Sequence, residues 1–397
     1  MARTPLLLCL LALPGVALAD DGAFVEPTLL LQLWGTAYDM DETAQADPVS
    51  YGDPEHDPGL SLRRGRLGVR GGIDRADFQV DFGLSQPYDG VSDGRAPQIE
   101  VANAFVRSSW FLGGGRHSVS AGFLKLPFGR ERIMSSKDLV FQERSVASAY
   151  MSPGQQLGVL WRLEPAESLS VEVGAFNGGG DVYGDDNMGL LLGGRVAWDS
   201  GSTYVTFGEG NGLGLGLGGY WNDDLATDTF AGEVDALLRF DRLSVYLEGS
   251  LAVVKPANTS IALPDVASQT GRMGLTAQVS YWVPVDDDDS VDAVARSAVE
   301  IAARISTYDD HTKLKNNGDV AIAHVGATWR NVAPAIDLGA GYVLRVETQG
   351  RSYANDTVRL WAQVQWPKPK ADQWDPLKHS AGAAPALPVD VHPTGDR

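Results

Sequence analysis

The sequence predicts an all-β fold, a transmembrane antiparallel β-barrel of about 16 strands. Apolar and polar residues alternate with period two along most of the chain, as expected for strands with two different faces. Many of these segments are about 11 residues long, which is enough to cross a bilayer at a tilt. Short and long connections also alternate, as in outer-membrane barrels. A soluble β-sandwich or β-solenoid is the alternative, but the even strand number favours the membrane barrel.

The segment 243–254 shows the alternation clearly. Val245 and Leu247 share one face, whereas Ser244 and Glu248 share the other. We therefore expect one face of each strand to contact lipid and the other to contact water. The predicted strands are 25–40, 61–73, 76–86, 98–110, 116–127, 155–163, 167–178, 187–199, 212–222, 229–240, 242–254, 269–283, 293–307, 319–330, 333–346 and 355–366.

Most of the connections fit this scheme, but two are too long for it. The connection at 74–75 is short and the one at 128–154 is long. Those at 200–211 and 284–292 are longer than expected for the end of the barrel that carries short turns.

The stretch GLGLGLGGYWN at 212–222 contains a match to G-x-G-x-x-G at Gly214, Gly216 and Gly219. A dinucleotide-binding loop would follow a buried strand and open a helix. Here the glycines alternate with leucines, and further strands follow. We interpret the stretch as a strand whose polar face has no side chains, and we expect no cofactor.

The first 19 residues have the features of a secretory signal. A basic residue, Arg3, precedes a leucine-rich run that is too short to span a membrane, and Ala17-Leu18-Ala19 fits the small-x-small cleavage rule. Cys9 is the single cysteine and lies in this segment. The mature chain is therefore expected to lack disulfides, thiolate metal sites and a cysteine nucleophile.

The rest of the chain divides into two parts. Residues 20–366 are predicted to form the barrel. Residues 367–397 are rich in proline and have no periodicity, which indicates a disordered periplasmic tail. A tether to the cell wall or to a periplasmic partner is the alternative interpretation of the tail.

The net charge of −19 argues against a nucleic-acid-binding protein, because such binding depends on neutralising phosphates. The segment 41–60 contains no Lys or Arg, and 286–289 is a run of four aspartates. We interpret both as solvated loops, with divalent-cation binding as the alternative. We expect no metal site.

Tryptophans lie near many of the predicted strand ends, where an aromatic girdle would contact the membrane interfaces. The residues predicted for this girdle are Trp34, Trp110, Trp198, Trp221, Trp282 and Trp366.

The longest connection, 128–154, is the candidate for narrowing the lumen. A barrel of this size leaves a wide aqueous channel, and a loop of mixed charge could enter it. Its basic residues are Arg130, Arg132, Lys137 and Arg144. A loop that stays outside the barrel is the alternative.

Strand parity places more basic than acidic residues on the polar faces, which favours anions in the lumen. Most single wall arginines are nevertheless expected to pair with a wall carboxylate. The basic set is Arg64, Arg66, Arg70, Arg195, Arg239, Arg272, Arg296, Arg304, Arg330, Arg345 and Arg359, and the acidic set is Asp77, Asp81, Glu172, Glu233, Asp235, Glu248, Glu300 and Asp337.

The stretch GFLKLPFGRERIMSSKDLVFQERS at 122–145 resembles the phosphate-selective porins O and P, in which G-x-F-K-x-P-F runs into S-S-K-D-L-x-F-x-E-R. LRRGRLGVRG at 62–71 and GAFNGGG at 174–180 are similar to two further segments of that family. The resemblance covers roughly residues 27–366. It implies a sixteen-stranded, trimeric porin of the Gram-negative outer membrane whose third external loop folds inward.

The resemblance also implies candidate residues for the ion path. The arginine pair of the second strand corresponds to Arg63 and Arg64, and the constriction residues correspond to Arg132, Ser135 and Ser136. The sequence departs from the family pattern at Ala102 and Asp77, where the family has an aspartate and a lysine.

Three more basic residues complete the predicted ion path, namely Arg66, Arg70 and Lys137. Alternation places Arg66 and Arg70 on the same face as Arg64. Arg63 then has the wrong parity for the lumen, which a bulge or a position at the rim would reconcile.

The predicted function is passive diffusion of small hydrophilic solutes, with a preference for anions such as phosphate. A non-selective porin, or a structural or adhesive barrel anchored through its tail, is the alternative. An enzyme is not expected, because no G-x-S-x-G or H-E-x-x-H occurs and His324 fits a wall residue. The expected partners are outer-membrane lipids, lipopolysaccharide, small anions and two further copies of the chain.

Overall fold

The computed structural model describes residues 23–38, 59–85, 98–179, 189–201, 208–224, 227–256, 269–285, 296–314, 319–347 and 356–366. The predicted signal, the acidic segments at 41–58 and 286–289, and the predicted tail lie outside these residues. What the sequence indicates for them stays a prediction.

All sixteen predicted strands form, each within a few residues of its predicted bounds. The strands are β1 (Phe24–Tyr38), β2 (Gly59–Ile73), β3 (Ala76–Ser85), β4 (Gln98–Leu112), β5 (Gly115–Lys125), β6 (Gln155–Ala166), β7 (Leu169–Phe176), β8 (Leu191–Gly201), β9 (Gly212–Asp223), β10 (Thr227–Phe240), β11 (Leu243–Pro256), β12 (Thr270–Pro284), β13 (Ala298–Asp309), β14 (Val320–Ala333), β15 (Ile336–Glu347) and β16 (Thr357–Trp366).

The strands form one closed antiparallel ring. Each strand pairs with the next, and β1 also pairs with β16, from Leu29 opposite Trp366 to Tyr38 opposite Thr357. The described strands therefore leave no unpaired sheet edge, so the backbone polar groups are satisfied even where water is absent. The fold class predicted from alternation is confirmed.

The barrel is apolar outside and polar inside. Leu217 is 61% exposed and Val325 57% exposed, whereas Gln32 and Glu233 are almost completely buried. This distribution is the reverse of that in a soluble protein and suits a wall between lipid and water. None of the helices in the described part of the chain is long and apolar enough to cross a bilayer.

The prediction of an aromatic girdle is wrong for two of its six tryptophans. Trp198 and Trp366 are exposed on the outer surface, but Trp34 and Trp282 are each only 1% exposed and face the lumen. Trp34 shares its face with the buried Gln32, so strand parity contradicted its assignment to the girdle. Position near a strand end is a weaker criterion than parity.

The two-residue turns lie at one end of the barrel, and most of the long connections lie at the other. The turns at 74–75 and 241–242 are tight, and their first residues, Asp74 and Asp241, both have a φ of 53°. The connections at 202–211 and 285–297 lie at the same end and are longer, as the sequence indicated. We call the two ends of the barrel the turn end and the loop end.

A bulge in β2 brings Arg63 to the lumen. Gln32 of β1 pairs with Arg64, but Leu33 pairs with Leu62, so Arg63 is the extra residue. A bulge re-aims the side chain that it inserts. The conflict between the parity of Arg63 and its predicted place on the ion path is resolved in favour of the lumen.

The connection between β5 and β6 lies inside the barrel. This inward loop, residues 126–154, contains α1 (Arg130–Ile133), a 3-10 turn (Ser136–Asp138) and α2 (Val146–Met151). Its residues bond to β1, β8, β10, β11, β13, β14 and β16. Because these strands lie around the whole ring, a single loop can contact all of them only from inside the barrel.

Candidate functional site

The inward loop is fixed first by a buried arginine. The guanidinium of Arg130 donates to Asp235 of β10 at 2.6 Å and to Asp199 of β8 at 2.8 Å. Arg195 bonds to the same Asp235 and to Glu233. Burial opposes the charge on Arg130, but Asp235 and Asp199 outweigh it and raise the pKa of Arg130. The positive charge of this guanidinium is compensated by the two carboxylates, and the residue serves to hold the loop against the wall.

The glycines of β9 leave room for this network. A methyl group at Gly214 would clash with Asp199, one at Gly216 with Arg195 and Asp235, and one at Gly218 with Glu233. The strand interpretation of GLGLGLG is confirmed, because β9 runs from Gly212 to Asp223 and pairs with β8 and β10. The missing side chains provide space for ion pairs.

A second anchor lies one residue further along the loop. Glu131 accepts from Arg304 of β13 at 2.9 Å and from the backbone N–H of Ser145 at 3.0 Å. The backbone N–H of Glu131 donates to the hydroxyl of Tyr246 at 3.2 Å. The two ends of the loop are thus joined to each other and to the wall.

The middle of the loop is held by apolar packing and by its carbonyl groups. Met134, Leu139, Val140 and Phe141 pack in one cluster with Trp34, Trp282, Ala298, Ala302 and Trp361 of the wall. Arg330 donates to the carbonyl of Leu139 at 3.0 Å, and Gln363 donates to the carbonyl of Lys137 at 3.0 Å. The three inward-facing tryptophans of this cluster therefore support the loop.

Four cations meet where the loop leaves β5 and returns to β6. We call Arg66, Lys125, Arg132 and Arg144 the cationic patch, since each of them repels others of the group. Lys125 donates to the carbonyls of Ile133 and Met134, and Arg144 donates to the carbonyl of Met134 at 2.8 Å. Among the described residues, none of the four is hydrogen-bonded to a carboxylate.

The pKa shifts of the loop arginines show the same imbalance. Burial, reinforced by Arg132, lowers the pKa of Arg144 to about 9. Burial also lowers the pKa of Arg132, an effect that Glu131 only partly offsets. Arg144 keeps its charge at neutral pH, and the neighbouring cations add to the effect of burial on its pKa. An anion at the patch would relieve this repulsion.

Gly154 is needed at the edge of the patch. Its φ is +82°, in the left-handed region, and a methyl group there would clash with the guanidinium of Arg132. The inward loop thus ends on a glycine that lets this arginine lie against the backbone.

The other predicted path residues occupy three different settings. Arg64 donates to Gln32 at 2.9 Å and to the carbonyl of Gln142 at 2.6 Å. Arg63 lies 3.5 Å from Glu143. Arg70 is paired with Glu26 at 2.5 Å, nearer the turn end. The structure therefore brings Arg63 and Arg64 to the inward loop and leaves Arg70 apart from them.

The two serines and Lys137 are placed by their backbone. The carbonyl of Ser136 accepts from Gln32 at 3.1 Å, and the carbonyl of Ser135 accepts from the N–H of Asp138 at 3.0 Å. The hydroxyl of Ser136 is buried and has no hydrogen-bond partner in the described part of the chain. Ser135 and Lys137 are partly exposed.

Most of the wall charges predicted by parity are paired. All eight predicted carboxylates are buried, and Glu300, for example, lies 2.7 Å from Arg330. The predicted set missed several lumen arginines, among them Arg107, which bonds to Asp77 at 2.8 Å, and Arg162, which pairs with Glu172. Parity could have found Arg107, which shares its face with the buried Ser109.

Two further groups are of interest for a possible enzyme or metal site. His324 is buried and stacks on Phe141 of the inward loop, with ring centroids 3.8 Å apart, so it is a packed wall residue. At the loop end, Asp309, Asp310 and Asp319 each place a carboxylate oxygen within 4.8 Å of the others. Exposed acidic groups with this spacing are common without a metal ion.

Several solved outer-membrane proteins share the fold. OmpT of Vibrio cholerae aligns with a TM-score of 0.55 at 13% identity, covering 88% of this chain and 100% of that one. The anion-selective porin from Comamonas acidovorans aligns with a TM-score of 0.53 at 14% identity, covering 87% and 100%. OmpF of Salmonella typhi aligns with a TM-score of 0.51 at 13% identity, covering 87% and 98%. No curated protein sequence matches the chain.

The fold and the site define an outer-membrane porin, a closed barrel of sixteen strands with a polar lumen that a loop narrows from within. The family model for the phosphate-selective porins O and P matches residues 41–234. This match confirms the resemblance to that family, and it extends into β10. Both the family and the fold are those of channel proteins of the Gram-negative outer membrane.

Proposed function

We propose that the protein lets small hydrophilic solutes diffuse passively across the outer membrane and that it favours anions, phosphate among them. The cationic patch is the observation that supports this preference. It lies beside Arg63 and Arg64, and two of its members, Lys125 and Arg144, bond to carbonyls instead of carboxylates. Positive charge along a pore favours anions, and weak binding at such a patch still permits exit.

The test is the reversal potential of the purified protein in a planar bilayer under a salt gradient, with chloride and with phosphate. We expect an anion preference in the wild type. Arg132→Ala should lower the anion-to-cation permeability ratio about threefold, because one poorly compensated charge is lost from the path. Arg75→Ala removes an exposed arginine from a turn and should leave the ratio unchanged.

A non-selective porin is the second candidate, and a specific observation supports it. Buried wall arginines are paired with wall carboxylates, as Arg107 is with Asp77 and Arg330 is with Glu300. Such pairs create a transverse field and little net charge. A wild-type reversal potential near zero would establish this candidate, and a channel without conductance would indicate a structural barrel.

The remaining predictions about organisation belong to this proposal. We propose that the signal is removed after Ala19, that the turn end and the tail at 367–397 face the periplasm, and that three copies assemble in contact with lipid and lipopolysaccharide. The apolar outer surface and the family resemblance support this arrangement.

A further inference from the structure

One carboxylate of the inward loop is bound between two arginines of the wall. Oε1 of Glu143 lies 3.5 Å from Arg63 of β2, and Oε2 lies 2.6 Å from Arg359 of β16. Each carboxylate oxygen of Glu143 is therefore paired with a different guanidinium group. Burial opposes the charge, but Arg359 and Arg63 outweigh it and hold the pKa of Glu143 well below its usual range.

The two arginines rest on the same aromatic ring. The guanidinium carbon of Arg359 lies 3.7 Å from the ring centroid of Trp34, and that of Arg63 lies 4.9 Å from it. Trp34 belongs to β1, between the strands that carry the two arginines. Stacking on an aromatic face pre-orients a guanidinium and lowers the cost of organising a site for an oxyanion.

The charges at this place do not balance. Glu143 is a single carboxylate, whereas Arg63, Arg64 and Arg359 all act on it. Water reaches the pair from one side, since the side chains of Glu143 and Arg63 are 22% and 20% exposed while that of Arg359 is 2% exposed. A solute could therefore approach from the lumen and replace the carboxylate.

We infer that Arg63, Arg359 and Trp34 form an oxyanion subsite and that Glu143 occupies it as a tethered competitor. The ligands that fit are carboxylates and phosphate, because two of their oxygens can span the two guanidinium groups as those of Glu143 do. Glu143 thereby sets how tightly a permeating oxyanion is held. The inference rests on the proposed permeation of anions.

The experiment measures how acetate and phosphate block the chloride current through the full-length protein in a planar bilayer. Glu143→Gln keeps the shape of the side chain and removes its charge. We expect the apparent affinity for both oxyanions to rise about tenfold, since their tethered competitor is weakened. Adding Arg359→Gln should abolish the gain. If the apparent affinity rises for phosphate but not for acetate, the ligand class is narrower than we infer, and the carboxylate part of the inference is wrong.

The control is Glu172→Gln, which removes a more deeply buried wall carboxylate from its pair with Arg162. The subsite is ruled out if this control gives the same gain, because the effect would then be one of total charge. It is also ruled out if Glu143→Gln only widens the pore, measured by exclusion of neutral polymers, without a gain in affinity. If the double variant, Glu143→Gln with Arg359→Gln, keeps the gain in affinity, Arg359 does not belong to the subsite.

The outcome is separable from that of the proposed function. A wild-type reversal potential on the cation side contradicts the proposed anion preference. The subsite is judged by the affinity ratio of variant to wild type, which can be measured whichever ion the wild type prefers.

Discussion

Single residues of the inward loop differ in how well their charges are compensated, and Asp138 is the extreme case among the loop acids. It is only 2% exposed, and its Oδ1 has no hydrogen-bond partner among the described residues. Burial raises the pKa of Asp138 to about 6, although Lys137 and Lys125 oppose the shift. Glu143 has its pKa lowered by the guanidinium groups of Arg359, Arg63 and Arg64. Two acids of one loop thus respond to pH in opposite directions.

Asp138 should make loop docking pH-dependent. Its folded pKa lies above its ordinary value of about 3.8, so its stabilising contribution is present at low pH and is lost as the pH rises through about 6. Between pH 5 and pH 7.5 the loss is on the order of 1 kcal/mol. The thermal unfolding midpoint in detergent should fall over this interval in the wild type but less in Asp138→Asn.

Glu143→Gln provides the comparison for this prediction. The depressed pKa of Glu143 places its titration in stronger acid, so this variant should keep the wild-type difference between pH 5 and pH 7.5. An Asp138→Asn protein that shows the full wild-type difference would mean that another group carries the pH dependence.

At the scale of elements, β9 and the inward loop depend on each other. The loop enters the lumen because Arg130 reaches two carboxylates, one on β8 and one on β10. On β9, the strand between them, the positions that face these groups are glycines, so no side chain obstructs the arginine. A small polar residue at these positions would keep the alternation of β9 but fill the space of the ion pairs. Glycine is required here by packing and not by backbone conformation.

Gly216→Ala should therefore disturb docking of the loop. The added methyl group meets Arg195 and Asp235, and overpacking of this kind costs about 1–3 kcal/mol. We expect a lower unfolding midpoint and a larger, noisier conductance. Gly232→Ala on β10 is the matched control, because its nearest neighbour would be 3.9 Å away. Equal effects of the two changes would show that glycine in the wall matters for the strands and not for the ion pairs.

For the whole molecule, stability depends on an outer surface that water does not contact. Apolar side chains cover the outside of the ring, and charged and polar ones line the inside. Ring closure by β1 and β16 satisfies the backbone, so the surrounding lipid need supply only an apolar medium. The two faces of the wall should differ sharply in which substitutions they tolerate.

Leu247→Arg tests the outer face. Leu247 is half exposed on β11, and an arginine on the lipid face near mid-membrane costs about 2–4 kcal/mol. Refolding into lipid vesicles at graded urea concentrations, followed by the electrophoretic shift of the folded barrel, should show a lower midpoint. Leu247→Phe should refold like the wild type. An unchanged midpoint for the arginine variant would mean that this face does not contact lipid.

The sequence by itself determined the number of strands, their approximate bounds and the two faces of the wall, because period-two alternation is a local property of extended backbone. It also indicated the loop for the lumen and the candidate residues there. It did not reveal that Arg130 is paired with two carboxylates while Arg132 is hydrogen-bonded to no carboxylate of the described residues, although the two arginines are only two residues apart.

Only the tertiary structure decided which charges remain uncompensated. A bulge against β1 turned Arg63 inward, and Glu143 met Arg359, more than two hundred residues away in the chain. Trp34 and Trp282 face the loop and not the membrane. These outcomes depend on strand register and ring closure, which bring distant residues together, and no local pattern specifies them.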